Sequence, residues 1–75
     1  MPKLPRISSK KLISIFLKLG FYIHHQRGSH VHLKHCTKRH LRIVVPANKE
    51  TLALKTLKSI LIQAELKIED IKKFL

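Results

Sequence analysis

The chain contains only two glycines, and their positions divide its first half into segments of different periodicity. Gly20 follows a segment whose apolar residues recur with helical spacing, and Gly28 separates two segments that alternate as strands do. Glycine adopts the positive φ of a helix C-terminus or a tight turn without steric cost. The two glycines therefore predict a helix, a strand and a second strand in that order.

The first helix is predicted to begin at Ser8 or Ser9, because a serine hydroxyl can accept a hydrogen bond from an N–H group of the first turn. Gly20 is predicted to end it. The apolar stripe of this helix is predicted to consist of Leu12, Ile13, Phe16 and Leu17, with Lys10, Lys11, Ser14 and Lys18 on the other side.

Three strands are predicted to follow, over residues 21–26, 29–35 and 41–45, with Pro46 ending the third. A turn at Arg27 and Gly28 joins the first two strands, and a polar basic turn joins the second to the third. The expected sheet is therefore an antiparallel meander of three strands.

A second helix is predicted over residues 51–64, and Thr51 and Thr56 are both open as its N-terminal cap. Its expected apolar stripe is Leu54, Leu57, Ile60, Leu61 and Ala64. A short third helix is expected to bury Ile68, Ile71, Phe74 and Leu75, with Glu69 and Asp70 in its first turn, where acids suit the helix dipole. These elements predict a single α+β domain over residues 1–75, a two-layer sandwich of order α-β-β-β-α(α).

Helices on one side of a three-stranded sheet leave its other face open, and strand alternation predicts which side chains lie there. Phe21 and Ile23 are expected to face the helices, together with Val31, Leu33, Leu41, Ile43 and Val45. The outer face is expected to carry His30, His32, Lys34 and Arg42, joined by Tyr22 and His24.

Positive charge is concentrated in the first two-thirds of the chain. Residues 1–49 contain eleven basic residues and no acid, whereas all four acids and the other five lysines lie in residues 50–75. A cationic domain of this kind attracts polyanions, of which nucleic acid is the most common. The basic N-terminus precedes no apolar segment of signal-peptide type, and no apolar run could span a membrane. A soluble cytoplasmic protein is expected, with Cys36 unable to form an internal disulfide.

Histidines beside cations, without carboxylates, suit the cleavage of RNA without a metal or cofactor. That reaction needs a base for the 2′-hydroxyl, an acid for the leaving oxygen and cations for the charge on phosphorus. Histidine titrates near working pH, and Arg27, Lys34 or Arg42 can supply the charge. A zinc site at His30, His32 and His35 is disfavoured because no carboxylate would orient the ligands. A nucleophilic Ser29 lacks an acidic orienter in the same way.

Several landmarks in order give the chain a resemblance to the HicA (YcfA-like) toxin family along its whole length. They are Gly20-Phe21 after a helix, Gly28-Ser29-His30 after a strand, and residues 57–64 in the second helix. The resemblance implies a double-stranded-RNA-binding-like fold and mRNA interferase activity. It also implies that His30 is the single catalytic residue, and that a HicB-family antitoxin masks the active site.

On this interpretation His30 transfers a proton, and the RNA is bound by Arg27, Gly28, Ser29, His32, Lys34 and Arg42. The resemblance does not mark His24 or His35. The chain departs from the family at two positions. Leu33 stands where the family often has an aromatic residue, and a change in packing or base stacking is expected there. Glu65 stands where a glycine commonly ends the helix, and a longer second helix is expected. Two alternatives stay open: an RNA-binding module that does not cleave, and a structural protein whose basic face meets an acidic partner. The sequence also leaves self-association open.

Overall fold

A computed structural model describes residues 6–75 of the chain. The elements are α1 (Ser9–Lys18), β1 (Phe21–Arg27), β2 (His30–His35), β3 (Arg42–Pro46), α2 (Leu54–Gln63) and α3 (Ile68–Lys72). The predicted order and the α+β class are confirmed. The basic N-terminus, which is not expected to be a signal peptide, lies almost wholly outside the described residues. No helix within the described range is long and apolar enough to cross a membrane.

The three strands form one antiparallel sheet in the order β1-β2-β3. Arg27 pairs directly with His30, so the hairpin turn consists of Gly28 and Ser29, one residue later than predicted. Gly28 has a φ of 58°, and a type II′ turn places a glycine with positive φ at this first position.

One face of the sheet packs against the helices, as the strand alternation predicts. The five side chains that were expected to face inward from the predicted second and third strands are all buried, although Leu41 lies just before β3: Val31, Leu33, Leu41, Ile43 and Val45. Phe16 from α1, Leu57 and Ile60 from α2 and Ile71 from α3 complete the same core. Leu33 is 1% exposed, so it contributes to packing and cannot stack on a base bound to the outer face.

Helix α1 begins as predicted, because the Ser8 hydroxyl accepts a hydrogen bond from the Lys11 N–H at 3.1 Å. Its buried stripe is rotated from the predicted one: Ile15 is buried and Leu17 is 47% exposed. Each residue turns the helix by about 100°, which places Leu17 far around the axis from the buried Leu12. The Leu17 prediction was therefore wrong.

Helix α2 is shorter than predicted at its N-terminus. It starts after Ala53, which makes no side-chain cap, so both threonine predictions were wrong. The residues before it stay outside the helix because the Leu52 N–H donates a hydrogen bond to the Ile7 carbonyl at 2.8 Å. The Leu52 side chain is buried at this point. As a result Leu54, expected in the core, is 55% exposed.

The C-terminal end of α2 also differs from expectation. The helix ends at Gln63, and Glu65 takes the left-handed conformation with a φ of 56°. The Leu66 N–H then donates back to the Leu61 carbonyl at 2.9 Å, which closes the helix end. Glu65 therefore does not lengthen α2. In α3, Ile71 is buried as predicted and both acids lie in the first turn, but Leu75 is 52% exposed.

Candidate nucleic-acid interface

The outer face of the sheet is built from cross-strand pairs whose side chains point away from the helices. Between β2 and β3 these pairs are His30 with Pro46, His32 with Val44, and Lys34 with Arg42. From β1, Tyr22 lies opposite Lys34, His25 opposite His32, and Arg27 opposite His30. Residues directly opposite each other in an antiparallel pair share one face. Five of the six residues predicted for the outer face therefore lie there together: Tyr22, His30, His32, Lys34 and Arg42.

A bulge in β1 adds a histidine that alternation did not predict. Ile23 lies opposite Leu33, and the next pair is His25 with His32, which leaves His24 as the extra residue. His25 is thereby moved to the outer face. Ile23 shares the helical side with Leu33, as expected, but it is 49% exposed.

The bulge brings three imidazoles into a row. The Nδ1 atoms of His24 and His25 lie 2.7 Å apart, so one ring donates a hydrogen bond to the other. The His25 ring stacks on His32 with 4.2 Å between centroids and an interplanar angle of 12°. Desolvation lowers the pKa of His32, and the positive charges of His25, His30 and Arg27 lower it further. The environment therefore favours the neutral form of the His32 ring.

These rings line a cavity of about 420 Å³ on the outer face. Its wall consists of His24, His25, His32, Leu33, Lys34, Arg42, Ile43 and Val44. We call it the histidine cavity. No acid lines it, although Lys34 and Arg42 lie directly opposite each other in the sheet. Like charges in that arrangement repel, and a bound anion would relieve the repulsion.

His30 lies in a second, neighbouring groove. This groove, of about 410 Å³, is lined by His30, Val44, Pro46, Lys55, Thr56, Ser59, Ile60 and Gln63. We call it the His30 groove. It also lacks an acid, and Val44 lines both it and the histidine cavity. The polar side chains from α2 were missed by sequence reasoning, since helical periodicity places them off the apolar stripe without showing which element they border.

The hairpin turn holds Arg27, Gly28 and Ser29 at the exposed end of the sheet. The Ala47 N–H donates to the Ser29 carbonyl at 2.6 Å and the Gln26 side chain donates to the Gly28 carbonyl at 3.3 Å. The first bond fixes the turn to the residue after β3, and the second braces the turn from within β1. Arg27 therefore has a defined place, across the strand pair from His30.

His35 is separated from the other strand histidines. Its Nδ1 accepts hydrogen bonds from the N–H groups of Thr37 and Lys38, at 3.2 and 3.0 Å. Its Nε2–H therefore donates to the Leu19 carbonyl at 3.2 Å, and its ring contacts the edge of Phe21. The structure thus gives His35 a packing role away from His30 and His32. Within residues 6–75 there is no group of three or more histidine, cysteine or acidic residues placed to hold a metal ion.

Comparison with known proteins gives one family. The family model described as "HicA toxin of bacterial toxin-antitoxin" matches residues 9–66 of the 75-residue chain. The matched range begins with α1, ends just beyond α2, and includes the whole outer face of the sheet. No curated protein matches the chain.

Proposed function

The chain belongs to the HicA toxin family of bacterial toxin–antitoxin systems, and we propose that it acts as an endoribonuclease that cleaves mRNA with His30 as the catalytic residue. The observation that carries this proposal is the setting of His30. It is an exposed imidazole in a groove without acids, with Lys55 in the groove wall and Arg27 across the strand pair. An mRNA substrate implies that the toxin acts in the cytoplasm.

The proposed reaction is transesterification within the RNA strand. The 2′-oxygen attacks the adjacent phosphorus as its proton passes to a base, and the bond from phosphorus to the 5′-oxygen breaks. The leaving 5′-oxygen takes a proton from an acid, so the products are a 2′,3′-cyclic phosphate and a 5′-hydroxyl. A histidine titrates close enough to neutral pH to serve at either proton transfer. His30 performs one of them.

The cations around His30 have a separate role in this proposal. Negative charge on the phosphoryl oxygens increases as the fifth bond to phosphorus forms, and fixed cations stabilise that charge. Lys55 lines the same groove as His30, and Arg27 lies opposite His30 in the strand pair, so these two cations are the candidates for this role. Gly28 and Ser29 offer an exposed backbone beside them. Lys34, Arg42 and His32 lie further along the same face, where they would bind the RNA that flanks the cleaved bond.

The family also implies a HicB-type antitoxin partner. We propose that this antitoxin inhibits the toxin by covering the outer face of the sheet. The face has high positive charge and no acid in either cavity, so a partner with acidic side chains there would compete directly with RNA.

Expression of variants in cells tests the proposal. Wild-type protein is expected to arrest growth on induction, and His30→Ala is expected to be harmless at an equal protein level. His40→Ala is the matched control, because His40 is an exposed histidine that lines neither cavity and pairs with Glu65 on another side of the molecule. Growth arrest by His30→Ala would overturn the catalytic assignment.

The groove itself can be tested with two lysines of α2. Lys55→Ala is expected to reduce toxicity, because it removes a cation from the His30 groove. Lys58→Ala makes the same change in net charge on the same helix, but Lys58 does not line the groove. Equal toxicity of the two variants would remove Lys55 from the proposed site.

A further inference from the structure

The histidine cavity contains a flat surface of stacked rings, and this surface depends on the bulge in β1. Without the bulge at His24, strand alternation would turn His25 toward the helices. With it, the His25 and His32 rings are stacked, and the hydrogen bond between the His24 and His25 rings limits the rotation of His25. Tyr22, which is 44% exposed, lies on the same face beside Lys34. A stacked pair of flat rings beside an exposed aromatic ring is the kind of surface on which the bases of single-stranded nucleic acid stack.

Charge at the cavity favours a phosphate at one end. Lys34 and Arg42 lie directly opposite each other and line the same cavity, which contains no acid. Within residues 6–75 the one contact at salt-bridge distance joins His40 Nε2 to a Glu65 carboxylate oxygen and involves neither of these cations. An arginine and a lysine that face each other without a counter-ion form a site for an anionic ligand.

Position links this cavity to the His30 groove. Val44 lines both, and His30 and His32 lie two residues apart on the same face of β2. Two residues of a strand advance about 6.6 Å. An RNA strand with a phosphate at His30 would therefore continue directly into the histidine cavity.

We propose that the histidine cavity is a binding subsite for the nucleotide next to the cleaved phosphate in single-stranded RNA. The base stacks on the His25–His32 pair, and its phosphate binds between Lys34 and Arg42. This inference rests on the proposed function, since it assigns a neighbouring nucleotide of the same substrate. It gives His25 a binding role that the family resemblance did not mark.

Binding of RNA to the His30→Ala protein provides the test, because this variant leaves the RNA intact. Fluorescence anisotropy with a short labelled single-stranded RNA would give Kd values. Adding His25→Ala is expected to raise Kd about tenfold, the size expected for losing one stacking contact. Adding His25→Phe, which keeps a flat ring, is expected to preserve most of the affinity. Adding the control change His40→Ala is expected to leave Kd unchanged.

An abasic scan then separates stacking from charge. A single abasic ribose is moved along the RNA, and Kd is measured for the His30→Ala protein with and without the additional change His25→Ala. At one position of the RNA, removing the base and making His25→Ala together are expected to raise Kd no more than either change alone, because both remove the same contact. Thermal melts of each variant show whether the fold is retained, and His25→Gln replaces His25→Ala if the alanine variant unfolds.

The outcomes distinguish the two proposals. If the His30→Ala protein binds no RNA, both the proposed function and this subsite are overturned. If it binds RNA but His25→Ala gives the same Kd as His40→Ala, only the subsite is overturned. Additive effects at every abasic position would likewise exclude stacking on His25.

Discussion

Replacing Arg42 with glutamate should stabilise the fold and weaken RNA binding in the same protein. Arg42 lies directly opposite Lys34, so the wild-type sheet contains a like-charge pair. A cross-strand pair contributes about 0.2–1 kcal/mol, and its sign follows the charges. Arg42→Glu turns a repulsive pair into an attractive one. The free energy of unfolding is expected to rise by about 0.5–1 kcal/mol at low salt. A larger rise is not expected, because Arg42 is exposed and solvent weakens the interaction.

For a domain of this size, 1 kcal/mol corresponds to a Tm change of about 4–8 °C, so a rise of a few degrees is expected. The assay is thermal unfolding followed by circular dichroism at low and at high salt. The gain should shrink at about 1 M salt, where charges are screened within roughly 3 Å. RNA affinity should fall at least tenfold at the same time, because a carboxylate would then face the phosphate in the histidine cavity.

Lys38→Glu is the matched control. It makes the same change in net charge in the exposed turn between β2 and β3, and Lys38 lines neither the histidine cavity nor the His30 groove. Its effect on RNA affinity should therefore be much smaller than that of Arg42→Glu. A lower Tm for Arg42→Glu, or equal RNA affinities for the two variants, would refute the reasoning about this face.

Three further predictions follow from the charge, the chemistry and the backbone. Binding to single-stranded RNA should weaken with salt with a log–log slope near −3, as for about four phosphate contacts, and a flat response would contradict an electrostatic interface. Cleavage should persist in excess chelator and leave a 2′,3′-cyclic phosphate or its hydrolysis product. Loss of activity with EDTA and its recovery with zinc would contradict the proposed proton transfers. Glu65→Gly should be more stable than Glu65→Ala by about 1 kcal/mol, because residue 65 has a φ of 56° and both variants lose the side-chain contact with His40 equally. Equal Tm values for the two variants would contradict this.

The fold was largely predictable because local signals and tertiary packing agree. Gly20 and Gly28 occupy the positive-φ positions that the sequence analysis assigned to a helix end and a hairpin. Alternation in β2 and β3 gave the correct inward side chains, since those strands are regular. Failures occur where a longer-range contact decides the local structure. The hydrogen bond from Leu52 to Ile7 delays the start of α2, and no pattern near Thr51 indicates it.

The candidate site was predictable only in part, for the same reason. His30, His32, Lys34 and Arg42 were placed correctly on the outer face by strand alternation. His25 was missed because a bulge shifts the register of β1, and Lys55 was missed because its position depends on how α2 packs along β3. The family resemblance marked neither His24 nor His35. The structure separates them, since His24 lines the histidine cavity and His35 holds the turn after β2.

Direct cleavage of RNA by purified protein tests the central assignment of His30. Single-turnover rates on a labelled RNA would be measured for wild-type and His30→Ala protein, with thermal melts of both. The rate is expected to fall about 10²- to 10⁴-fold, the usual cost of removing a general acid or base. Stability should change by no more than about 0.5 kcal/mol, because the side chain is exposed. Cleavage by His30→Ala at the wild-type rate, or loss of cleavage only because the variant no longer folds, would contradict the account.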